Sequence, residues 1–143
     1  MSPLYEALDP IADAVNPLLA LATIVAAVLD WRAGRRRRML GHAIPTALGV
    51  ACIYVVGFAD RLLQLWSRVH GDYSTHTAFA TTLTLSLLLW RPGWRVALLV
   101  VWLSYLVLIV VIGYHSPADV VSAAVVAVVV TLPWHVAARR FHG

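Results

Sequence analysis

Hydrophobic positions divide the chain into five apolar runs, at about 11–29, 39–58, 76–90, 95–112 and 117–136, each bounded by charge, proline or aromatic residues. A hydrocarbon core of roughly 30 Å takes about 20 helical residues to cross. The third run, rich in threonine, is marginal alone, so it is expected to sit at an angle or to be buried among its neighbours. Between the second and third runs, Leu62, Leu65, Trp66 and Val69 form the apolar side of an expected short interfacial helix. The pattern predicts an all-α, polytopic membrane helical bundle of about five transmembrane helices plus that interfacial helix. No linker or repeat divides it, so 1–143 reads as a single membrane domain.

Composition strengthens this picture. Of 143 residues, 61% are hydrophobic, and the mean hydropathy is +0.79. A soluble domain of this size has too little interior to hide so much apolar surface. The single cysteine, Cys52, lies in an apolar run and reads as a small buried hydrophobe. No signal peptide is expected, because the first residues carry no basic region and charge follows the first run.

Net charge is +4, and all eleven basic residues are arginine, most of them at the ends of apolar runs. That placement fits lipid headgroups and topology signals rather than nucleic acid. Arg32 and Arg35–Arg38 follow the first run, Arg91 and Arg95 separate the third from the fourth, and Arg139 and Arg140 end the chain. With five spans these share one side, which the positive-inside rule makes cytoplasmic. Trp31, Trp90, Trp94 and Trp134 gather at that boundary as an aromatic belt. The other side holds Glu6, Asp9, Asp60, Asp72 and Asp119, with Arg61 and Arg68 as its cations. The expected location is thus the cell membrane, multi-pass, with the N-terminus outside and the C-terminus cytoplasmic. The Arg35–Arg38 run has a second reading, as a lipid-binding site of its own.

Three polar clusters fall on the outer side, where ionisable groups at the mouth of a bundle are costly unless paired or hydrated. In Tyr114-His115-Ser116-Pro117-Ala118-Asp119, Ser116 reads as a helix cap, Pro117 as the first helical residue and Asp119 as the closing member of a capping box. Capping leaves His115 unexplained; the functional reading sets the Asp119 carboxylate against its imidazole. In Gly71-Asp72-Tyr73-Ser74-Thr75-His76-Thr77, Ser74 or Thr75 caps the third helix, whose outward N–H groups suit a phosphate. His76 is expected at the depth of His115. Arg61 and Arg68, seven apart, fall on one helical face, either snorkelling or neutralising phosphate oxygens. His42, His135 and His142 read as interfacial or tail residues, and His70 is a reserve site candidate.

These stretches resemble the type 2 phosphatidic acid phosphatase superfamily of membrane lipid phosphatases and phosphotransferases. Its signature is Lys-x6-Arg-Pro, then Pro-Ser-Gly-His, then Ser-Arg-x5-His-x3-Asp. The matching stretches are Arg61-x6-Arg68-Val69, Tyr73-Ser74-Thr75-His76 and His115-x3-Asp119, and the resemblance covers about 39–136. Gly71-Asp72-Tyr73 before Ser-x-His-Thr, with Thr-Leu-Thr-Leu at 82–85, looks more like the sphingomyelin synthase branch. Arg61 stands in place of lysine, Val69 and Tyr73 in place of proline, Thr75 in place of glycine, and Ile109 where an arginine precedes the second histidine.

The resemblance implies a lipid phosphatase acting at the extracytoplasmic face on a phosphatidate or polyprenyl (di)phosphate. His115 would attack phosphorus, assisted by Asp119; His76 would serve as acid and base; Arg61, Arg68, Ser74 and Thr75 would hold the phosphate. The scheme requires no metal and no cofactor. Its partners are the lipid phosphate substrate and membrane lipids. Three competing readings are transfer of a phospho-headgroup between lipids, a metal site of His76, His115 and Asp119, and a non-catalytic membrane protein that keeps the fold.

Overall fold

The structure, a computed structural model, describes residues 3–69 and 71–142, with side chains over 7–69 and 71–140. His70, the reserve site candidate, and the side chains of Glu6 and His142 lie outside the described residues. Among the described residues five helices alternate in direction: α1 (Pro3–Arg32), α2 (Arg36–Leu63), α3 (Thr75–Trp90), α4 (Arg95–Val111) and α5 (Pro117–His142). Short 3-10 turns occupy Ser67–Val69 and Pro92–Trp94, and no strand occurs among the described residues. Among the described residues four stretches are long and apolar enough to cross a membrane: Ala7–Arg32, Arg36–Leu63, Pro92–Val111 and Pro117–Arg140.

The bundle is apolar outside and partly polar inside. Along α4, Val96, Val100, Leu103, Val107 and Val111 recur at spacings of three and four and are exposed, while Leu98, Tyr105 and Ile109 face inward. Exposed apolar faces of this extent are what a lipid environment covers. The interior holds hydroxyls instead. Thr82 and Thr131 share a hydrogen bond of 3.2 Å, Ser86 meets His135 at 3.0 Å, and the Trp102 indole donates to Thr81 at 3.0 Å. Each cross-helix bond of this kind contributes about 0.6 kcal/mol in a membrane bundle. Gly49 lets α2 approach α5: a Cβ there would lie 2.8 Å from both Cγ2 and Oγ1 of Thr131.

α3 is the central helix, meeting α1, α2, α4 and α5. Its 16 residues give about 24 Å of rise, short of a full crossing. Burial resolves the expectation: Thr77, Ala78, Ala80, Thr82, Ser86, Leu87 and Trp90 are each 0% exposed. Its neighbours, not lipid, surround it.

Two expectations change at the arginine-rich end. Trp90 is buried rather than placed in an interfacial belt, and its indole donates to Asp30 Oδ2 at 2.8 Å. Asp30, fully buried, also meets Arg35 at 2.8 Å, Arg91 at 3.1 Å and Arg38 at 3.6 Å. Part of the arginine run is therefore internal counter-charge for one carboxylate. The α1–α2 turn that delivers Arg35 depends on Gly34 at φ 72°, with Arg35 N–H donating to the Asp30 carbonyl at 2.8 Å. Glycine adopts that left-handed conformation at helix ends without steric cost.

The expected interfacial helix is not found. α2 continues to Leu63, and Gln64 stops it in the left-handed region at φ 52°. Trp66 explains the break. Its N–H donates to the Asp60 carboxylate at 2.8 Å, its indole donates to Ser122 Oγ at 2.9 Å, and its ring packs edge-on against Tyr73 at 4.8 Å. The tryptophan draws the chain into the bundle, and a three-residue turn follows. Arg61, on α2, and Arg68, on that turn, therefore do not share one helical face.

Candidate active site

The site lies at the bundle end opposite the Asp30 cluster, where α2 finishes and α3 and α5 begin. The start of α5 is fixed by a capping box: Ser116 N–H and Oγ donate to Asp119 Oδ2 at 3.0 and 2.6 Å, and Asp119 N–H donates back to Ser116 Oγ at 3.2 Å. Asp119 Oδ1 accepts the N–H of Asp72 at 2.8 Å, joining the loop before α3 to the start of α5. Gly71 is required there, because a Cβ would sit 2.8 Å from Asp119 Oδ1.

Among the described residues Asp119 makes no direct ion pair with His115, although the two charges still interact. Both Asp119 oxygens are hydrogen bonded to backbone or to Ser116, and the carboxylate facing the imidazole is Asp72, with Oδ2 at 3.5 Å from His115 Nδ1. His115 is largely buried, its side chain 13% exposed, whereas Asp72 is 76% exposed. The physical reason that Asp119 makes no direct pair is local: a carboxylate three residues into a helix is already used by the cap.

Ser74 is the N-cap of α3. It is buried, accepting from Thr77 N–H at 3.3 Å and donating to Thr77 Oγ1 at 2.8 Å. Its hydroxyl is thereby committed inside the fold and is not part of the cleft lining. Thr75 and His76 form the first turn of α3, with His76 exposed. Asn16, from α1, bridges to the His76 carbonyl at 3.4 Å and to Tyr105 Oη at 3.1 Å. Tyr114 donates to Asp9, tying the chain just before His115 to α1.

One cleft of about 640 Å³ collects Arg61, Thr75, His76 and His115. Tyr54, Gly57 and Phe58, which share a helical face with Arg61, line it from α2, and Tyr73 lines it from the loop. Burial, with Asp60 nearby, pushes the Tyr73 phenol up to about 12, so it remains a neutral donor, here to the Ile53 carbonyl at 3.3 Å. Arg68 is exposed on its 3-10 turn and is not among the lining residues. His76 also borders an apolar groove of about 300 Å³ with Pro17, Ala20 and Phe79. Ile109 is 1% exposed in the core, so its position offers no room for a phosphate clamp.

Of the seven residues expected from sequence, four meet in the cleft, Asp119 and Ser74 support it from behind, and Arg68 stands outside. Asp72 and the α2 face were missed. Tyr54, Gly57 and Phe58 precede Arg61 at helical spacing, the signal that could have found them, whereas Asp72 lies in the loop before α3 and reaches His115 only through the tertiary fold. Among the described residues no group of three or more His, Cys, Asp or Glu is placed to hold a metal ion. Comparison with protein-family models, curated proteins and solved structures finds no match for this chain.

Proposed function

We propose that this protein is a membrane lipid phosphatase, hydrolysing a phosphomonoester or diphosphate of a lipid through a phosphohistidine intermediate. The observation that carries the reading is the meeting of two histidines and an arginine from three separate helix ends in one cleft of about 640 Å³ beside an apolar groove. Such a cleft takes a charged headgroup at its polar wall and a tail along its apolar one. Resemblance to the type 2 phosphatidic acid phosphatase superfamily supplies the reaction.

In the first step His115 attacks phosphorus through Nε2, since Nδ1 faces Asp72. The P–N bond forms as the P–O bond to the lipid breaks, and His76 gives its proton to the leaving oxygen. Asp72 stabilises the positive charge that the imidazole acquires, and Arg61 stabilises the negative charge on the phosphoryl oxygens. In the second step His76 takes a proton from water as the water oxygen attacks phosphorus. The P–N bond then breaks, releasing phosphate and restoring His115. Asp119 is a positioning residue, acting through the Asp72 backbone. With the arginine-rich end cytoplasmic, the cleft opens at the extracytoplasmic face and the N-terminus lies outside.

A second reading is supported by one observation. Gly71, Asp72 and Tyr73, which carry the resemblance to the sphingomyelin synthase branch, all contact the site or its supports. In that reading a lipid alcohol replaces water in the second step. The test is phosphate release from a panel of phosphorylated lipids by reconstituted protein, with His115→Ala alongside. Hydrolysis of one class, absent in the variant, is expected. A labelled headgroup passing to a second lipid without free phosphate favours transfer, and inactivity on every lipid in both assays rejects the enzyme reading.

A further inference from the structure

The arginine-rich end carries a second polar cavity, of about 360 Å³, lined by Arg37, Arg38 and His42 of α2 and by His135 and Arg139 of α5. Its arginines differ in status from those around Asp30. Arg35 and Arg91 are bound to that carboxylate, and Arg38 is shared between it and the Trp90 carbonyl at 2.8 Å. Arg37 and Arg139 come from helices far apart in the sequence to one opening, and among the described residues neither meets a carboxylate. The cavity lining contains no acidic residue.

Behind the arginines the floor is built rather than incidental. His135 is 2% exposed and held by Ser86 at 3.0 Å. His42 stacks on buried Trp90, with ring centroids 5.3 Å apart and planes 13° apart, and lies 6.0 Å from the His135 ring. A topology signal requires positive charge near a boundary, but not convergence of two helices on one open cavity. Guanidinium groups gathered around one cavity repel, and a bound anion with several oxygens reduces that repulsion by accepting from them.

We propose that this cavity is a binding site for a phosphate group, separate from the cleft at the other end. Its volume, near the lower limit for ligand sites, suits a phosphate or a small phosphate ester. The same chemistry is offered by the headgroup of an anionic lipid in the adjoining leaflet and by free phosphate in solution. An exposed arginine near a membrane surface contributes about a fivefold change in affinity for a phosphorylated partner, so losing both Arg37 and Arg139 is expected to cost about 25-fold.

The test uses the full chain in neutral detergent, with His115→Ala and Arg61→Gln in every sample so that neither turnover nor phosphate binding at the other end intervenes. Binding of inorganic phosphate and of dihexanoyl phosphatidate is measured by titration calorimetry, with dihexanoyl phosphatidylcholine as the uncharged-headgroup control. Saturable binding of phosphatidate alone identifies a lipid headgroup site; binding of both anions identifies a site open to free phosphate. In either case, Arg37→Gln with Arg139→Gln is expected to weaken binding at least tenfold. Arg37→Lys with Arg139→Lys, which keeps the charge, is expected to retain more of it and guards against misfolding. Arg32→Gln with Arg140→Gln, outside the cavity, is expected to change little. The proposal is overturned by no saturable binding of either anion. It is equally overturned by binding indifferent to Arg37 and Arg139, or by equal losses in the two glutamine pairs, which would mean general surface charge.

Discussion

Replacing Asp72 with asparagine removes the charge facing His115 while keeping size and leaving the Asp72 backbone bond to Asp119 in place. At the observed 3.5 Å, two opposite unit charges attract by about 4–5 kcal/mol at an effective dielectric of ~20, and by about 1 kcal/mol in water. Asp72 is 76% exposed, so the value near water applies, and about 1–2 kcal/mol remains for stabilising the imidazolium. That converts to a loss of about 5- to 30-fold in the rate of phosphoenzyme formation. The assay is rapid-quench, single-turnover reaction of a labelled lipid phosphate, with thermal melting in detergent measured in parallel. Asp72→Asn should slow the chemical step without moving the melting temperature. Asp119→Asn should lower both, because the capping box and the tie to the α3 loop rest on charged hydrogen bonds worth about 1.5–3 kcal/mol each. If Asp72→Asn reacts at the wild-type rate while Asp119→Asn loses the step with unchanged melting, then Asp119 pairs directly with His115 and the reasoning here is refuted.

Other consequences follow from named contacts. Asp30→Asn leaves Arg91, with its side chain 12% exposed, without its carboxylate; stability in denaturant titration should fall by about 3–5 kcal/mol. Gly49→Ala forces a Cβ into Thr131 at 2.8 Å, and should cost about 1–3 kcal/mol, partly recovered in the double variant with Thr131→Ala. His76→Ala should reduce steady-state phosphate release by about 10²–10⁴-fold, the range for one general acid–base group. A smaller loss would remove His76 from the proton-transfer role.

Helix starts whose caps are local in sequence were readable before the fold was known. Ser74 caps α3, and Ser116 with Pro117 and Asp119 opens α5, as their spacing requires. The meeting of His76 and His115 in one cleft also follows, since both stand at the same end of alternating helices. Three features were not legible, each for a tertiary reason. Gln64 adopts a left-handed conformation without being glycine or asparagine, because Asp60 and Trp66 close the turn around it. That break separates Arg68 from Arg61, which an uninterrupted helix would have aligned. Asp30, which the sequence reading passes over, is the buried centre on which Arg35, Arg38 and Arg91 converge. Asp72 belongs to the polar cluster expected before α3, but its place 3.5 Å from His115 is set by the tertiary tie of its backbone to Asp119.

In the proposed reaction phosphate passes covalently through His115. The most direct measurement is to mix purified protein with a lipid substrate labelled in its phosphate, quench within one turnover, and locate the label by peptide mapping. An acid-labile, alkali-stable label on the peptide containing His115, absent in His115→Ala, is the expected result. Phosphate release without labelled protein, or turnover by His115→Ala at the wild-type rate, would contradict it.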